Sequence, residues 1–160
     1  LEAAENVRTA WFFRWSEAKP YFKEVNRTVM AQGQVEQFLS KHVRGGVNFT
    51  QACNTLFQGL ASDGAKLALT NITRDCYLNT SSPLYGSRVL FFAHDETILE
   101  MPEALAPEAA LEHSRLMVES MKKYVPDVAL VAAPCLMKRW SKLADAVYDV
   151  NGRLKIWEPS

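Results

Sequence analysis

Two short apolar runs, Arg88–Ala93 and Thr97–Met101, are separated only by the polar break His94-Asp95-Glu96. Neither run has the length of a stable helix. The pair therefore reads as two strands joined by a tight turn, with Pro102 ending the second strand. His94 and Asp95 tolerate a positive φ better than most residues, which suits them to the turn. Strands so nearly all apolar predict a hairpin buried on both faces, with its turn at the edge of a cleft. A chain holding this hairpin is not all-helical.

The rest of the pattern is mostly helical. Leu1–Ala18 carries Val7, Trp11 and Trp15 at four-residue spacing, one apolar face of a first helix. Pro20 suits the first turn of a second helix running to about Ala31, and Gly33 closes it. Gln34–Phe38 alternates as a short strand does, and Gly45-Gly46 marks a loop. The longest helix is expected from about Phe49 to Tyr77, with Phe49, Cys53, Leu56, Leu60 and Leu67 as its apolar stripe. Gln51, Asn54 and Gln58 fall on one polar face. The small residues Gly59, Ala61, Ser62, Gly64 and Ala65 allow another backbone or a ligand to approach. Pro107–Tyr124 reads as a helix burying Leu111, Met117 or Val118, and Met121, and Val128–Ala132 as a strand. Val147–Val150 and Leu154–Trp157 form a hairpin signal around Asn151-Gly152, which supplies a type I′ turn. Helices first and a mixed half after give an α+β fold.

Composition limits the function. The chain has 160 residues, 48% hydrophobic and 22% charged, which fits one globular domain or part of one. Its 18 basic and 18 acidic residues cancel, so alone it is a poor non-specific nucleic-acid binder. No apolar run approaches the roughly 20 residues needed to span a bilayer, and no signal segment opens the chain. Cys53, Cys76 and Cys135 are scattered, which argues against a zinc site or a disulfide framework and for a reducing cytosol. The first residue, Leu1, is not Met, as in a chain that begins inside something larger.

Three constellations can carry chemistry. His94-Asp95-Glu96 offers carboxylates on a stiff support, and Mg²⁺ often takes only one or two protein carboxylates plus substrate phosphates. On its own, however, a charged hairpin tip is more often merely solvated. Gln51, Asn54 and Gln58 both donate and accept, which suits base edges and sugars; a polar helix face in water is the plain alternative. Lys138, Arg139 and Lys142 around Trp140 can touch phosphates, but such a cluster is more often a surface patch with a packed Trp. His42 and His113 have no metal-ligand spacing and read as surface or structural.

The run Ala52-Cys53-Asn54-Thr55-Leu56-Phe57-Gln58-Gly59-Leu60-Ala61-Ser62-Asp63-Gly64-Ala65-Lys66 resembles the long palm helix of family A (polymerase I-like) DNA polymerases in their bacteriophage form. Arg88-Val89-Leu90-Phe91-Phe92-Ala93-His94-Asp95-Glu96 resembles motif C of that family, the strand-turn-strand with a metal-binding aspartate. The tail from Met137 to Lys142 and the closing hairpin are similar to phage members as well. The resemblance implies a partial polymerase domain: residues 1–45 as the end of the fingers, and residues 46–160 as palm, with a palm-type antiparallel sheet that includes the catalytic hairpin. It implies Asp95 as a metal ligand, Glu96 as support near the metals, and His94 at the primer terminus. Asn54 and Gln58, with Gln51 on the same face, would lie along the DNA near the new base pair. Two Mg²⁺ ions, primer–template DNA and a deoxynucleoside triphosphate follow, in the cytoplasm of a bacterial host. Motif A, with the other metal aspartate, and the nucleotide-binding motif B do not occur in the chain. The resemblance thus implies a complementary chain that carries them. Lys41-His42 stands where phage relatives usually have Gly-Arg. A second reading is a DNA-binding or scaffolding remnant that kept the palm and lost the chemistry.

Overall fold

The computed structural model describes residues 2–159, so what is expected of Leu1 lies outside the described residues. The fold is mixed α+β with small sheets, and the chain divides into two compact units, Leu1–Leu60 and Ala61–Ser160.

In the first unit, helix α1 (Glu2–Arg14) is followed by α2 (Ala18–Gln32). The expected apolar face of α1 is not a core face: no residue of α1 is buried, and Val7, Trp11 and Trp15 all stay exposed. Trp11 and Phe12 instead meet the ring of Phe22, with centroids 6.5 and 6.2 Å away. Gly33 closes α2 as expected, at φ +65°, and its N–H donates to Val29 O. Strand β1 (Gln34–Glu36) pairs antiparallel with β2 (Val43–Gly45), a strand that the glycine loop signal concealed. Val25, Val35, Val47 and Ala52 form a small core, and the Tyr21 hydroxyl donates to Cys53 O at 2.8 Å.

The expected helix from Phe49 to Tyr77 is three consecutive elements: α3 (Phe49–Asn54), a π-helical turn (Thr55–Gly59) and α4 (Leu60–Tyr77). The π turn has a cause remote in sequence. Gln37 is buried, and its side-chain amide donates to Thr55 O. A side chain inserted at the helix ladder widens it there. A Cβ on Gly59 would collide with that same amide, so this glycine makes room for Gln37.

In the second unit, Ala68, Ile72 and Cys76 of α4 pack with Leu84, Ala109 and Leu116. Helix α5 (Ala106–Lys122) buries the small residues Ala106, Ala109, Ala110 and Ser120 besides Leu116. Leu111, expected inside, is exposed. It lies roughly 200° round the helix from Ala109, at about 100° per residue. A Cβ on Gly64 would sit 2.5 Å from Met121 Sδ and 3.4 Å from Met121 Cα, so the glycine permits α4 to approach α5. Asn71 Nδ2 donates to Ser120 Oγ at 3.0 Å across the same contact. Gly64→Val is expected to cost about 1–3 kcal/mol through overpacking, with partial recovery in a Gly64→Val, Met121→Ala double variant. Chemical denaturation of the three proteins checks this; an unchanged midpoint for Gly64→Val would show that the helices do not meet there.

Strands β3 (Arg88–Ala93) and β4 (Glu96–Glu100) form the expected hairpin, antiparallel, with a bulge at Leu90 between the pairs Val89–Leu99 and Phe91–Ile98. Burial on both faces does not hold. Val89 and Leu99 pack on the core, while Leu90, Phe91 and Phe92 remain exposed. Val128–Ala132 is not a strand, and Val131 stands in solvent. Its backbone is tied by a side chain instead of a ladder: Ser114 Oγ of α5 donates to Ala132 O.

The closing sheet has three strands: β5 (Leu136–Met137), β6 (Val147–Tyr148) and a central β7 (Leu154–Trp157), parallel to β5 and antiparallel to β6. Its loop is not a type I′ turn. Only Gly152 takes a positive φ, and the Asp149 carboxylate accepts from the backbone N–H of Asn151 and Arg153 at 2.8 and 2.9 Å. Those donors, chiefly that of Arg153, hold the Asp149 carboxyl below its ordinary range.

Candidate functional site

The pair Ala93–Glu96 closes β3 and β4, leaving His94 and Asp95 as a two-residue turn. His94 takes φ +57°, and Asp95 does not enter the left-handed region. The ladder on both sides and the packing of Val89 and Leu99 fix where the turn stands. His94, Asp95 and Glu96 are exposed and all line one cavity of about 690 Å³.

Neither Asp95 nor Glu96 is in an ion pair among the described residues. Two adjacent carboxylates with uncommitted oxygens are a donor set that suits a hard cation such as Mg²⁺. Among the described residues, no group of three or more His, Cys, Asp or Glu is placed to hold a metal.

The rest of the cavity wall comes from residues that sequence patterns do not connect to the turn. His113 of α5 contributes to it, next to Ser114. Its ring is largely buried, and Nε2 has no hydrogen-bond partner among the described residues. Burial pushes the imidazole down to about 4, so it is neutral at pH 7. Trp140 and Lys142 also line the cavity. Their basic turn lies at the surface, as expected, but its Trp is not packed, because Trp140 is 54% exposed. Lys138 leaves the group to meet Glu103 at 3.9 Å. No periodicity links α5 to the segment after β5, so only packing reveals this wall.

The amide residues lie in the first unit. Asn54 Nδ2 donates to Gln58 Oε1 at 3.0 Å, and both side chains are exposed. Gln51, also exposed, makes a structural bond as well. Its Oε1 accepts from Asn48 N–H at 3.0 Å while Gln51 N–H donates to Asn48 Oδ1 at 2.9 Å, a capping box that starts α3. The space at Gly59 and Gly64, which a ligand could have used, is occupied by Gln37 and Met121. Lys41 takes φ +60°, a backbone that suits glycine, and pairs with Glu36 at 3.2 Å. Arg44 reaches Thr55 Oγ1 at 2.8 Å.

The chain is similar to DNA polymerase I of Helicobacter pylori strain ATCC 700392 / 26695, with 27% identity over 154 residues that cover 89% of this chain. The same figures hold for DNA polymerase I of Helicobacter pylori strain J99 / ATCC 700824. The chain spans 16% of the length of each. No family model matches the chain, and no solved structure does. No helix among the described residues is long and apolar enough to cross a membrane.

Proposed function

We propose that this chain is the C-terminal part of a bacteriophage-type family A DNA polymerase, with residues 1–45 ending the fingers and residues 46–160 forming palm. The observation that carries the reading is the His94-Asp95-Glu96 turn. It is held rigidly by β3 and β4 at a cavity, in a chain similar to DNA polymerase I over 89% of its length. The reaction is template-directed nucleotidyl transfer, in which a primer 3′ hydroxyl attacks the α-phosphate of a deoxynucleoside triphosphate.

Asp95 and Glu96 would hold Mg²⁺, which when bound stabilises charge on the attacking and leaving oxygens. Catalysis of this kind is positioning plus charge stabilisation, so a carboxylate on a stiff turn suits it better than one on a mobile loop. His94, in the same turn, positions the primer end. Asn54 and Gln58 meet the DNA near the new base pair. Their exposed amides suit minor-groove acceptors, which scarcely differ between base pairs, and copying any template needs that tolerance.

Two adjacent carboxylates do not complete a two-ion site. The proposal therefore includes a complementary polypeptide with motifs A and B. The exposed Leu90, Phe91 and Phe92 support this, because an apolar hairpin face in water is costly. The test is primer extension with Mg²⁺ by this chain, by the complementary polypeptide and by their mixture. Extension only by the mixture is expected. Robust extension by this chain alone would refute the dependence, and no extension by a mixture that forms a stable complex would favour a scaffolding remnant.

A further inference from the structure

Asp95, Glu96 and Lys142 line one cavity, yet the Lys142 ammonium is within 4 Å of no carboxylate among the described residues. Charges of both signs thus share a space of about 690 Å³ without neutralising each other. That volume is within the range of ligand sites. Opposite charges held apart around a space suit a ligand that is anionic at one point and faces the carboxylates through a cation at another. A phosphate ester has this character. Trp140 lines the same space with about half its surface bare, and an exposed indole is a stacking platform for any base. Phosphate-binding lysine and base-stacking tryptophan, two residues apart, match one nucleotide step of a single strand better than they match a peptide or an inorganic ion.

We infer that Lys142 and Trp140 form a clamp for the 3′-terminal nucleotides of a DNA strand, Lys142 on a phosphate and Trp140 against a base, which delivers the strand end to the His94-Asp95-Glu96 turn. The identity of the strand rests on the polymerase reading; the clamp itself rests on the cavity. Arg139 adjoins Trp140 in sequence but does not line the cavity. It serves as the internal control, since a diffuse basic patch would use Arg139 and Lys142 alike.

The test is fluorescence anisotropy of the full chain with a short labelled oligodeoxynucleotide bearing a free 3′ hydroxyl, at low ionic strength. Lys142→Gln is expected to bind roughly five- to tenfold more weakly and to lower the salt-dependence slope by about 0.7, one phosphate contact on a single strand. Lys142→Arg should retain binding. Trp140→Ala is expected to lose about tenfold, for one stacked base, and Trp140→Phe less. Arg139→Gln should change binding by less than about twofold, since it makes no contact in the cavity. Equal losses for Arg139→Gln and Lys142→Gln would overturn the clamp. So would competition by free deoxynucleoside triphosphate as effective as that of the unlabelled strand. The polymerase reading fails separately. If the variants behave as expected but the mixture with the complementary polypeptide extends no primer, the clamp stands and that reading falls. If the mixture extends primers and Lys142→Gln binds and extends like the parent, the clamp falls alone.

Discussion

On the proposed function, Asp95→Ala is expected to abolish nucleotide incorporation by the complex of this chain with its complementary polypeptide, by a factor on the order of a thousand or more, while DNA affinity changes little. In the proposed role Asp95 fixes Mg²⁺, and removing such a ligand forfeits several kcal/mol of transition-state charge stabilisation, each step of about 1.36 kcal/mol being tenfold in rate. DNA is held mainly through phosphate contacts, to which a carboxylate contributes nothing favourable. The substitution also leaves the fold alone. Asp95 is exposed in the turn, outside the left-handed region, and the ladder that carries the turn closes at Ala93 and Glu96. A surface change of this kind usually stays within about 0.5 kcal/mol of the parent stability. Single-nucleotide incorporation and primer–template affinity, measured on the same preparation, check both halves of the expectation. Incorporation near the parent rate would remove Asp95 from the catalytic group. A parallel loss of DNA affinity would make its role one of binding.

The parts of this molecule legible in the sequence are those decided by neighbours along the chain. The hairpin is one: two apolar runs around His94-Asp95 leave few alternatives, and adjacency alone brings Asp95 and Glu96 together. Gly33 is another, because a positive φ after the last turn of α2 is a local demand. The misses arise where a particular side-chain bond or packing contact, which spacing does not announce, decides the outcome. The π turn depends on Gln37, whose amide arrives from 18 residues away. The type I′ expectation for Asn151-Gly152 fails because Asp149 satisfies two backbone donors and widens the loop. Periodicity tells which residues of α1 share a face, but not whether anything covers it, and nothing among the described residues buries Trp11 or Trp15. The same limit hides the cavity wall. The sequence reads His113 as surface or structural, and that its ring borders the space beside Asp95 follows only from the packing of α5.

Buried His113 is expected to make the stability of the chain acid-sensitive from about pH 6.5 downwards. Burial lowers its pKa in the folded chain from 6.5 to about 4, so the folded state keeps it neutral while the unfolded state takes up a proton below pH 6.5. The contribution is therefore fully present above pH 6.5 and is lost as the pH falls towards 4. At about 1.36 kcal/mol per unit, the loss relative to pH 7.5 is about 2 kcal/mol by pH 5 and about 3 kcal/mol by pH 4. Because Nε2 has no partner among the described residues, an apolar ring of similar shape sacrifices no hydrogen bond, and His113→Phe should match the parent within about 1 kcal/mol at pH 7.5. The two proteins should then diverge on acidification, with His113→Phe the more stable by about 2 kcal/mol at pH 5. Urea unfolding at pH 7.5, 6, 5 and 4 follows the divergence, and the carboxylates common to both proteins cancel in the difference. Parallel curves across this range would mean that the imidazole is reached by water and titrates normally, and that the wall it forms is open.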